Sequence, residues 1–577
     1  MLKHRFHPDR ELILLFVLAV FALVPLVSPG YFFNAHDADH SVFFLIEFDK
    51  GIRDGILWPR WGPDHAMGYG YPIWLIYAPL AYYGGEFFHL LGLGFTAAVK
   101  ATWAVGFLWG GCGMYFLLRR WFGRTSAGRA AALIGGLLYV YAPYHLLTIY
   151  VRAALAEFSA MAWFPWVLLA FDRLFDADTP RPWRSVALAA LAYAGLLLTH
   201  TGTILLFTPL LLAFLLLRLL QSVRWQPWPR SRGTALRVAA GGFLAVGLAA
   251  LFLFPMVLEQ RFIAEEQWVQ GSYGYRGHFV YASQWLDPLW GYGYSDDLNG
   301  PNDGMSFQLG TVGVALALVA AAIGLRRKGG QRALTLFFLL ATLAVLFLMS
   351  PASVHLWDGF GPAALIQFPW RLLGLASFGL SILGGAVVAS LLPAEDKSPV
   401  GLAGLLALVI VLGSLPFTLP QYTLIEPLDE SVGSIMRFEM AYPDMIGRMA
   451  DTQTTFTETP LLAQYLSGQP LEKAALLSGD GSVHTTHVGS AAVRASVDVN
   501  GPATVQFYTY DFPGWYATLD GQRVPHRTQP PYGLIAVDVP AGQHDIAIRF
   551  GTTPVRTASL LLSLVSLALT VWLLWKR

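Results

Sequence analysis

Residues 11–30 read ELILLFVLAVFALVPLVSPG, an apolar run that decides the fold class. A helix needs about 20 apolar residues to cross a bilayer, because the hydrocarbon core offers no partner to open backbone groups. Basic residues precede the run, as in a signal peptide, but no clear small-residue cleavage site follows it. The stretch therefore predicts a retained membrane-spanning helix.

The composition of the whole chain extends this interpretation. Of 577 residues, 55% are hydrophobic and 13% are charged, and the mean hydropathy is +0.50. Such values exclude an ordinary soluble domain, and the single cysteine, Cys112, excludes a disulfide framework. The formal net charge of +1, without a basic aromatic stripe, indicates no nucleic-acid partner. Twelve apolar stretches predict spans, near 11–29, 98–118, 130–147, 156–171, 185–201, 203–217, 238–257, 307–325, 333–350, 366–391, 400–418 and 556–575.

The distribution of Lys and Arg predicts the orientation, because short basic loops stay cytoplasmic. With the amino terminus inside, 22 of the 38 basic residues fall in the inside segments 1–10, 119–129, 172–184, 218–237, 326–332, 393–399 and 576–577. Only 7 fall in the outside loops 30–100, 148–155 and 258–306. We therefore expect a multi-pass protein of the cell membrane with both termini cytoplasmic and any active site on the extracytoplasmic side.

Three outside regions are long enough to carry a site: 30–97, 258–306 and 419–555. Within the first, the moderately apolar stretch 73–93 is broken by Pro79 and indicates an interfacial or re-entrant helix. In the third, alternating segments such as AAVRASVDV and HDIAIRF, separated by Gly, Pro and Asn, predict a compact β-sandwich over about 480–552. Residues 419–479 read as mixed helix and loop, and Trp515 reads as sandwich core rather than as a sugar-stacking residue.

The predicted fold is thus a polytopic α-helical membrane protein with about twelve spans and a carboxy-terminal extracytoplasmic β-sandwich-like domain. We expect a transmembrane domain over 1–418, a mixed and then β-rich domain over 419–555, and a final helix with a cytoplasmic tail over 556–577. No Walker-type loop, dinucleotide fingerprint, G-x-S-x-G elbow or H-E-x-x-H motif is present in the sequence. Any chemistry is therefore not expected to use cytosolic nucleotides.

An acidic stretch, NAHDADH, follows the first predicted helix on its outer side. A carboxylate of Asp37 or Asp39, half shielded from water, suits a general base. Together with His36 and His40, the same carboxylates also suit a divalent cation. A solvated cap where the chain leaves the membrane is an equally good interpretation, because a D-x-D spacing has little specificity.

Charged residues at the outer ends of other predicted helices form the second group of candidates. Arg152 and Glu157 lie between the third and fourth helices, where ionisable groups are costly unless they pair or function. Arg371, in QFPWRLLG, suits a lipid phosphate, although snorkelling to the interface explains it equally well. His200, in LLTH, reads as a helix-terminal hydrogen-bonding residue or a phosphate ligand, and Arg276 is a further phosphate candidate.

Taken together, these motifs resemble a known family. HDADH, VRAALAEFSA, LLTH, QFPWRLLG and the carboxy-terminal YDFPGWYATLDGQRVP are similar to those of the membrane proteins catalogued as 6-pyruvoyl-tetrahydropterin synthase-related, close to the YfhO-like proteins. That group belongs to the GT-C superfamily of glycosyltransferases. The resemblance spans nearly the whole chain, and nothing in the sequence indicates pterin chemistry.

The resemblance implies a GT-C-like fold and transfer of a sugar from a polyprenyl-phosphate donor to an extracytoplasmic glycan, lipid or protein acceptor, with inversion. It implies Asp37 as catalytic base, with Asp39 as the substitute, and Glu157 with Arg152 as a second polar group. It assigns the donor phosphate to Arg371, then Arg276, with Arg152 and His200 as further ligands. Metal dependence stays open, since some GT-C enzymes use a divalent ion. A flippase or transporter of lipid-linked saccharides, or a noncatalytic envelope-assembly protein, is the alternative.

Overall fold

Ten helical segments in the computed structural model are long and apolar enough to cross a membrane. The structure describes residues 9–123, 125–176, 180–225, 227–324, 330–392 and 400–576. Parts of the predicted inside segments, among them 393–399 and most of 326–332, lie outside these described residues. The ten segments are Arg10–Val27, Phe95–Phe122, Ser126–Tyr150, Leu155–Phe175, Thr201–Arg224, Pro229–Phe262, Gln331–Met349, Pro369–Leu391, Gly401–Thr418 and Pro554–Trp575.

The α-helices, in chain order, are α1 Arg10–Leu23, α2 Ala38–Arg53, α3 Ile73–Ile76, α4 Leu80–Leu90, α5 Phe95–Phe122, α6 Ser126–Val140, α7 Pro143–Tyr150, α8 Leu155–Met161, α9 Phe164–Asp172, α10 Pro182–Leu197, α11 Thr201–Trp225, α12 Trp228–Glu259, α13 Thr311–Gly324, α14 Gly330–Met349, α15 Val354–Gly359, α16 Leu373–Leu391, α17 Val400–Ser414, α18 Gly433–Ala441, α19 Leu462–Ser467 and α20 Pro554–Trp575. Short 3₁₀ turns extend several of them, including Val24–Val27 after α1 and Pro369–Leu372 before α16.

Two of the twelve predicted spans form shorter helices. The α10 helix has 16 residues and α13 has 14, which at 1.5 Å per residue gives roughly 24 and 21 Å, less than a hydrocarbon core of about 30 Å. Both are apolar and pack against longer helices, α10 on α12 and α20, and α13 on α16. The predicted helix 73–93 is also short, because the chain breaks between α3 and α4 at Pro79.

The three long loops pack on one another and form a single layer, which we call the loop layer. Tyr31 and Thr423 exchange backbone hydrogen bonds of 3.0 and 2.6 Å. The amide of Ala264 donates to the carbonyl of Arg448 at 3.0 Å, and the amide of Tyr510 donates to the carbonyl of Tyr69 at 2.9 Å. These contacts join segments that are hundreds of residues apart, so residues 30–97, 258–306 and 419–553 cover the same side of the helical domain.

The carboxy-terminal part of the loop layer is a sandwich of two antiparallel sheets, as the alternating pattern predicts. One sheet has the strand order β1-β4-β8-β7 and the other β2-β3-β9-β5-β6. Alternate residues of β3 are buried between the sheets, and Trp515 is buried against Trp61 and Phe550, which confirms its core role. The strands are β1 Ala474–Ser478, β2 Gly481–Gly489, β3 Ala492–Val499, β4 Ala503–Tyr510, β5 Trp515–Leu519, β6 Gln522–Val524, β7 Arg527–Gln529, β8 Leu534–Val539 and β9 Gly542–Phe550.

Buried polar contacts fasten the sandwich to the rest of the chain. Lys473, just before β1, donates from Nζ to the carbonyls of Pro63 and Gly68 at 2.8 and 2.9 Å. At the start of α20, Arg556 donates from Nε to Glu259 of α12 at 2.8 Å. Buried charges are tolerated when they are paired and hydrogen-bonded, so these contacts hold the sandwich in one position over the first loop.

Candidate functional site

The acidic stretch after α1 is held against the short linker between α7 and α8. The amide of Asp37 donates to the carbonyl of Arg152 at 2.7 Å, and the hydroxyl of Ser41 donates to the carbonyl of Ala153 at 2.6 Å. Asp37 is the residue that precedes α2, where a carboxylate is stabilised by the positive end of the helix dipole. The linker turns sharply, because Ala153 has a φ of +54°. Asp37 is thereby brought to the Arg152 side chain.

Arg152, Glu157 and Arg371 form the charged centre of the molecule. A guanidinium nitrogen of Arg152 lies 3.0 Å from Glu157 Oε2, and Arg371 Nε lies 3.4 Å from the same oxygen. The hydroxyl of Tyr144 also donates to Glu157. The side chains of Arg152 and Glu157 are only 4% and 5% exposed. One carboxylate therefore holds two arginines together in a poorly solvated place, where each electrostatic contact is stronger than in water.

Asp37 lies at the open edge of this centre. Its carboxylate is 3.7 Å from Arg152 Nη2, and its side chain is 42% exposed, in contrast to its buried partner. Two arginines face two carboxylates, so the formal charges of the four side chains cancel. Of the two acids, only Asp37 is accessible to a molecule that arrives from the loop layer.

Arg371 is fixed by its own neighbours in the QFPWR segment. It donates from Nη1 to the carbonyl of Ile366 at 2.8 Å and to Gln367 Oε1 at 3.0 Å. The ring of Trp370 lies 4.5 Å from the Arg152 guanidinium carbon and 5.9 Å from that of Arg371. Aromatic rings favour cations over their faces, so Trp370 helps to place both positive charges. Snorkelling to the interface therefore does not describe Arg371.

His200 lies next to the same centre, at the start of α11. A Cβ added at Gly202 would lie 3.2 Å from His200 and 3.8 Å from Arg371 Nη1, which places the two side chains side by side. The amide of Thr203 donates to His200 Nδ1 at 3.2 Å, so the histidine caps the helix, as one of the two interpretations predicted. Burial lowers the pKa of His200 to about 4. At neutral pH the ring is uncharged, and it contributes hydrogen bonding rather than positive charge.

The structure separates Asp39 from Asp37. Asp39 faces a different cavity, of about 380 Å³, beside Asp429 and Arg437. Burial raises the pKa of Asp39 to about 6, with the nearby Arg437 opposing this shift and Asp429 adding to it. Asp37 and Asp39 therefore do not belong to one site, and of the two only Asp37 pairs with Arg152.

Arg276 is the one phosphate candidate that the structure does not bring to the charged centre. Its guanidinium pairs with Asp358 at 2.7 Å on an exposed surface. Since Asp358 lies in α15, the pair joins the second long loop to that helix. Five of the other six candidates cluster, namely Asp37, Arg152, Glu157, His200 and Arg371. The sixth, Asp39, lies in its own cavity.

The two histidines of HDADH have packing roles. His36 stacks on Tyr294 with ring centroids 4.1 Å apart, and its Nε2 lies 2.8 Å from the carbonyl of Gly293. His40 packs among Phe43, Phe44 and Phe438. Burial lowers the pKa of each histidine to about 4. In the part of the chain that the structure describes, no three His, Cys, Asp or Glu side chains are grouped as metal ligands.

Several residues of the site did not stand out in the sequence. Tyr144 bonds to Glu157, Trp370 packs on both arginines, and Gln367 holds Arg371 with a φ of +65°. Trp370 Nε1 also donates to Ser295 of the second long loop at 3.2 Å. Trp370 and Gln367 flank Arg371 in the quoted motif, so neighbourhood in sequence was the available signal for those two, whereas Tyr144 gave none.

An apolar groove of about 700 Å³ lies in the helical domain. Its walls come from α5, α9, α10, α12 and α20, and Leu198 lies at one end, two residues before His200. Arg173, at the other end, belongs to a predicted inside segment. The groove is lined almost entirely by apolar side chains, including Trp109, Trp163, Trp166, Leu191, Leu251, Leu560 and Leu564.

Comparisons with known proteins give weak similarity only. No family model matches the chain, and no curated protein matches it in sequence. Among solved structures, the arabinofuranosyltransferase AftD from Mycobacteria aligns at 14% identity and a TM-score of 0.45, over 95% of this chain and 40% of AftD. The Archaeoglobus fulgidus oligosaccharyltransferase aligns at 14% identity and a TM-score of 0.45, over 72% of this chain and 56% of its own length. This chain thus spans about half the length of these proteins.

The archaeal oligosaccharyltransferase AglB from the same organism, solved with an inhibitory peptide and a dolichol-phosphate, aligns at 14% identity and a TM-score of 0.42. The alignment covers 80% of this chain and 60% of AglB. The narrower resemblance to the YfhO-like proteins stays a prediction. The structure itself establishes a multi-pass helical membrane protein with a carboxy-terminal β-sandwich and a buried Arg–Glu–Arg centre that an exposed aspartate adjoins.

Proposed function

We propose that this protein is a GT-C type glycosyltransferase that moves a sugar from a polyprenyl-phosphate donor to the hydroxyl of an extracytoplasmic acceptor. One observation carries the proposal. An accessible carboxylate, Asp37, lies 3.7 Å from the buried Arg152, which a shared Glu157 holds next to Arg371. A base and two cations side by side are what this reaction requires.

In the proposed reaction, Asp37 accepts the proton of the acceptor hydroxyl as its oxygen attacks the anomeric carbon. The bond between that carbon and the phosphate oxygen breaks, and the polyprenyl phosphate leaves with the electron pair. Arg371 and Arg152 stabilise the negative charge that develops on the phosphate. A single in-line displacement inverts the anomeric centre. Because a phosphate is a good leaving group, one carboxylate is enough, whereas a glycosidase needs two.

Glu157 acts in this scheme as a positioning residue. Its carboxylate contacts both arginines and accepts a hydrogen bond from Tyr144. Without it, two buried guanidinium groups would repel each other at close range. Glu157 therefore keeps the arginines side by side and leaves their remaining N–H groups for the phosphate. His200 supplies a neutral hydrogen-bonding group at the same place.

The apolar groove gives the donor's prenyl chain a place next to this phosphate site. Its Leu198 end lies two residues from His200, and His200 lies beside Arg371. A prenyl chain has only apolar atoms, so it gains from a groove whose walls are leucine and tryptophan. The groove and the arginines together match the two parts of a lipid phosphate.

The excess of basic residues in the predicted inside segments supports an extracytoplasmic site. The charged centre borders the loop layer, which consists of the three regions predicted outside. We therefore propose that donor and acceptor meet on the extracytoplasmic side, with both termini in the cytoplasm.

The test is a transfer assay on the full-length protein in lipid nanodiscs. A panel of radiolabelled decaprenyl-phosphate sugars is supplied with a pool of oligosaccharides, lipids and peptides, and wild type is compared with Asp37→Asn. We expect transfer of at least one sugar and a loss of about 10²-fold or more in the variant, the usual contribution of a general base. Glu458→Gln, an exposed acid of the loop layer, is the matched control.

Two results would contradict the proposal. Transfer that is unchanged in Asp37→Asn removes Asp37 as the base. No transfer from any donor, combined with movement of a fluorescent lipid-linked saccharide between the leaflets of proteoliposomes, identifies a flippase instead.

A further inference from the structure

A polar cavity around Asp39 lies outside the charged centre. It has a volume of about 380 Å³ and lies between the start of α2 and the segment 423–442. That volume falls at the lower end of the range of about 300–1,000 Å³ that small-molecule sites occupy. We call it the Asp39 cleft, and its polar and aromatic walls include Phe33, Asp39, Glu426, Asp429, Arg437 and Tyr442.

The carboxylates of the Asp39 cleft are of two kinds. Asp429 is already engaged, because it accepts from the Arg437 guanidinium and from the amide of Glu426 at 2.8 Å. Asp39 and Glu426, in contrast, have no side-chain hydrogen bond or ion pair with any residue that the structure describes. Asp39 is partly buried and Glu426 is exposed, and an ionised carboxylate can accept hydrogen bonds at both of its oxygens. The cleft thus offers unused acceptor capacity on fixed walls.

The net charge separates this cleft from the phosphate site. Three carboxylates and one guanidinium give the cleft a formal charge of about −2, whereas the two arginines and two carboxylates of the charged centre cancel. A phosphate is therefore repelled from the cleft. A neutral molecule rich in hydroxyl groups has the donors that the carboxylates lack.

Aromatic side chains give the cleft a second property. Tyr442 is 47% exposed and packs at a tilt on Phe438, with ring centroids 4.9 Å apart. Tyr294, on the second long loop, is 54% exposed. Exposed aromatic faces bury the C–H face of a sugar ring at low entropic cost, because a tyrosine has few rotatable bonds. Carboxylates beside aromatic faces suit a sugar better than an extended peptide, which needs partners for its backbone.

The Asp39 cleft adjoins the proposed base. Asp37 and Asp39 are two residues apart at the start of α2, and Tyr294 lies close to both carboxylates. Burial raises the pKa of the Tyr294 hydroxyl, and Tyr442, Asp37 and Asp39 are all close enough to raise it further. Tyr294 also stacks on His36, the neighbour of Asp37. A molecule bound against Tyr294 and Tyr442 is thus within reach of the Asp37 carboxylate.

We propose that the Asp39 cleft binds the acceptor and that the acceptor is a neutral carbohydrate. Its hydroxyl groups donate to Asp39 and Glu426, and its ring faces pack on Tyr442 and Tyr294. One further hydroxyl of the bound sugar points to Asp37. This proposal rests on the glycosyltransferase function proposed above, and it selects the glycan among the three classes of acceptor.

Binding without donor tests the proposal independently of transfer. Full-length protein in nanodiscs is studied by saturation-transfer difference NMR with neutral arabinan, galactan and mannan pentasaccharides, and with a set of uncharged hexapeptides. We expect at least one pentasaccharide to bind and the peptides not to. Asp39→Asn, Glu426→Gln and Tyr442→Ala should each weaken that binding at least fivefold, and Tyr442→Trp should retain it.

Matched controls are Glu458→Gln and Phe360→Ala, an exposed acid and an exposed aromatic residue that do not line the cleft. The proposal is overturned if no pentasaccharide binds, if only peptides bind, or if the cleft variants bind the sugar as wild type does. These results differ from a failure of the glycosyltransferase function, which would show as sugar binding without transfer from any donor. Thermal unfolding of each variant confirms that the protein is folded.

Discussion

Asp37 and Arg152 are joined twice, once through their backbones and once through their side chains. The Asp37 amide donates to the Arg152 carbonyl at 2.7 Å, and the carboxylate lies 3.7 Å from the guanidinium. The first contact fixes where the carboxylate leaves the chain, and the second orients it. The first loop and the linker between α7 and α8 thus behave as one unit, although 115 residues separate the two residues in sequence.

The buried ion pair between Arg152 and Glu157 should be costly to break when only one of the two partners is removed. Arg152→Met leaves Glu157 buried with fewer partners, and we expect the free energy of unfolding to fall by on the order of 3 kcal/mol. The double variant Arg152→Met with Glu157→Gln should recover much of that loss. Thermal unfolding in detergent measures both, and a double variant that is less stable than either single variant would refute the pairing.

Arg371 should act on the donor rather than on the acceptor. Arg371→Lys keeps the charge but not the planar guanidinium, and Arg371→Gln removes the charge. We expect transfer to fall by about 10-fold in the first and by 10²-fold or more in the second, following the usual loss of a charged contact to a transition state. Kinetics at varied donor and acceptor concentration measure this, and Arg276→Gln, at the exposed pair with Asp358, is the control.

Asp39 should lower the stability of the protein at neutral pH. An acid whose pKa is raised in the folded state, here from 3.8 to about 6, stabilises the fold while it is protonated and loses that stabilisation as the pH rises from 3.8 to 6. Asp39→Asn should therefore be more stable than wild type at pH 7, by on the order of 2 kcal/mol, and equally stable at pH 3.5. Unfolding midpoints across this range check the prediction, and a gain that is independent of pH would contradict it.

The width of the apolar groove should matter only for long lipids. Leu191→Trp and Leu564→Trp add bulk to opposite walls, on α10 and α20. We expect the KM for a decaprenyl-phosphate donor to rise at least fivefold, while a short analogue with two prenyl units reacts as with wild type. Leu402→Trp, on the exposed face of α17, serves as the control. An equal effect on both donors would show that the groove does not hold the chain.

The hydrogen bonds of Lys473 should stabilise the contact between the β-sandwich and the first loop. Its ammonium donates to the carbonyls of Pro63 and Gly68, and the residue is 2% exposed. Lys473→Met leaves both carbonyls and part of the Asp64 charge unpaired, at a cost of about 1–3 kcal/mol for each buried group. Limited proteolysis should cut the segment 58–72 faster in the variant. Lys576→Met, at the far end of α20, should be cut as wild type is.

The sequence predicted which kinds of secondary structure form but not how these elements pack against one another. Apolar runs predicted the helical domain, and alternation predicted the sandwich, because both patterns record which faces are buried. Helix length was less predictable: α10 is apolar enough to span but ends early, at Leu197. Local turns that end a helix depend on packing against neighbours, which hydropathy does not record.

The candidate site shows the same division. The sequence identified four charged or polar groups at helix ends: Arg152, Glu157, His200 and Arg371. Their convergence depends on how the helices α7, α8, α11 and α16 pack, which the sequence does not show. The choice between Asp37 and Asp39 was also beyond the sequence, because a D-x-D spacing does not say which carboxylate faces which wall. The structure pairs Asp37 with Arg152 and places Asp39 in the wall of a separate cleft.

The separation of Asp37 from Asp39 also bears on how such a protein can change. The walls of the Asp39 cleft come mainly from the segment 423–442, whereas the arginines come from the helical domain and its short linkers. An exchange of residues 423–442 alone is thus a route to new acceptor preferences in the laboratory, with the same lipid donor retained.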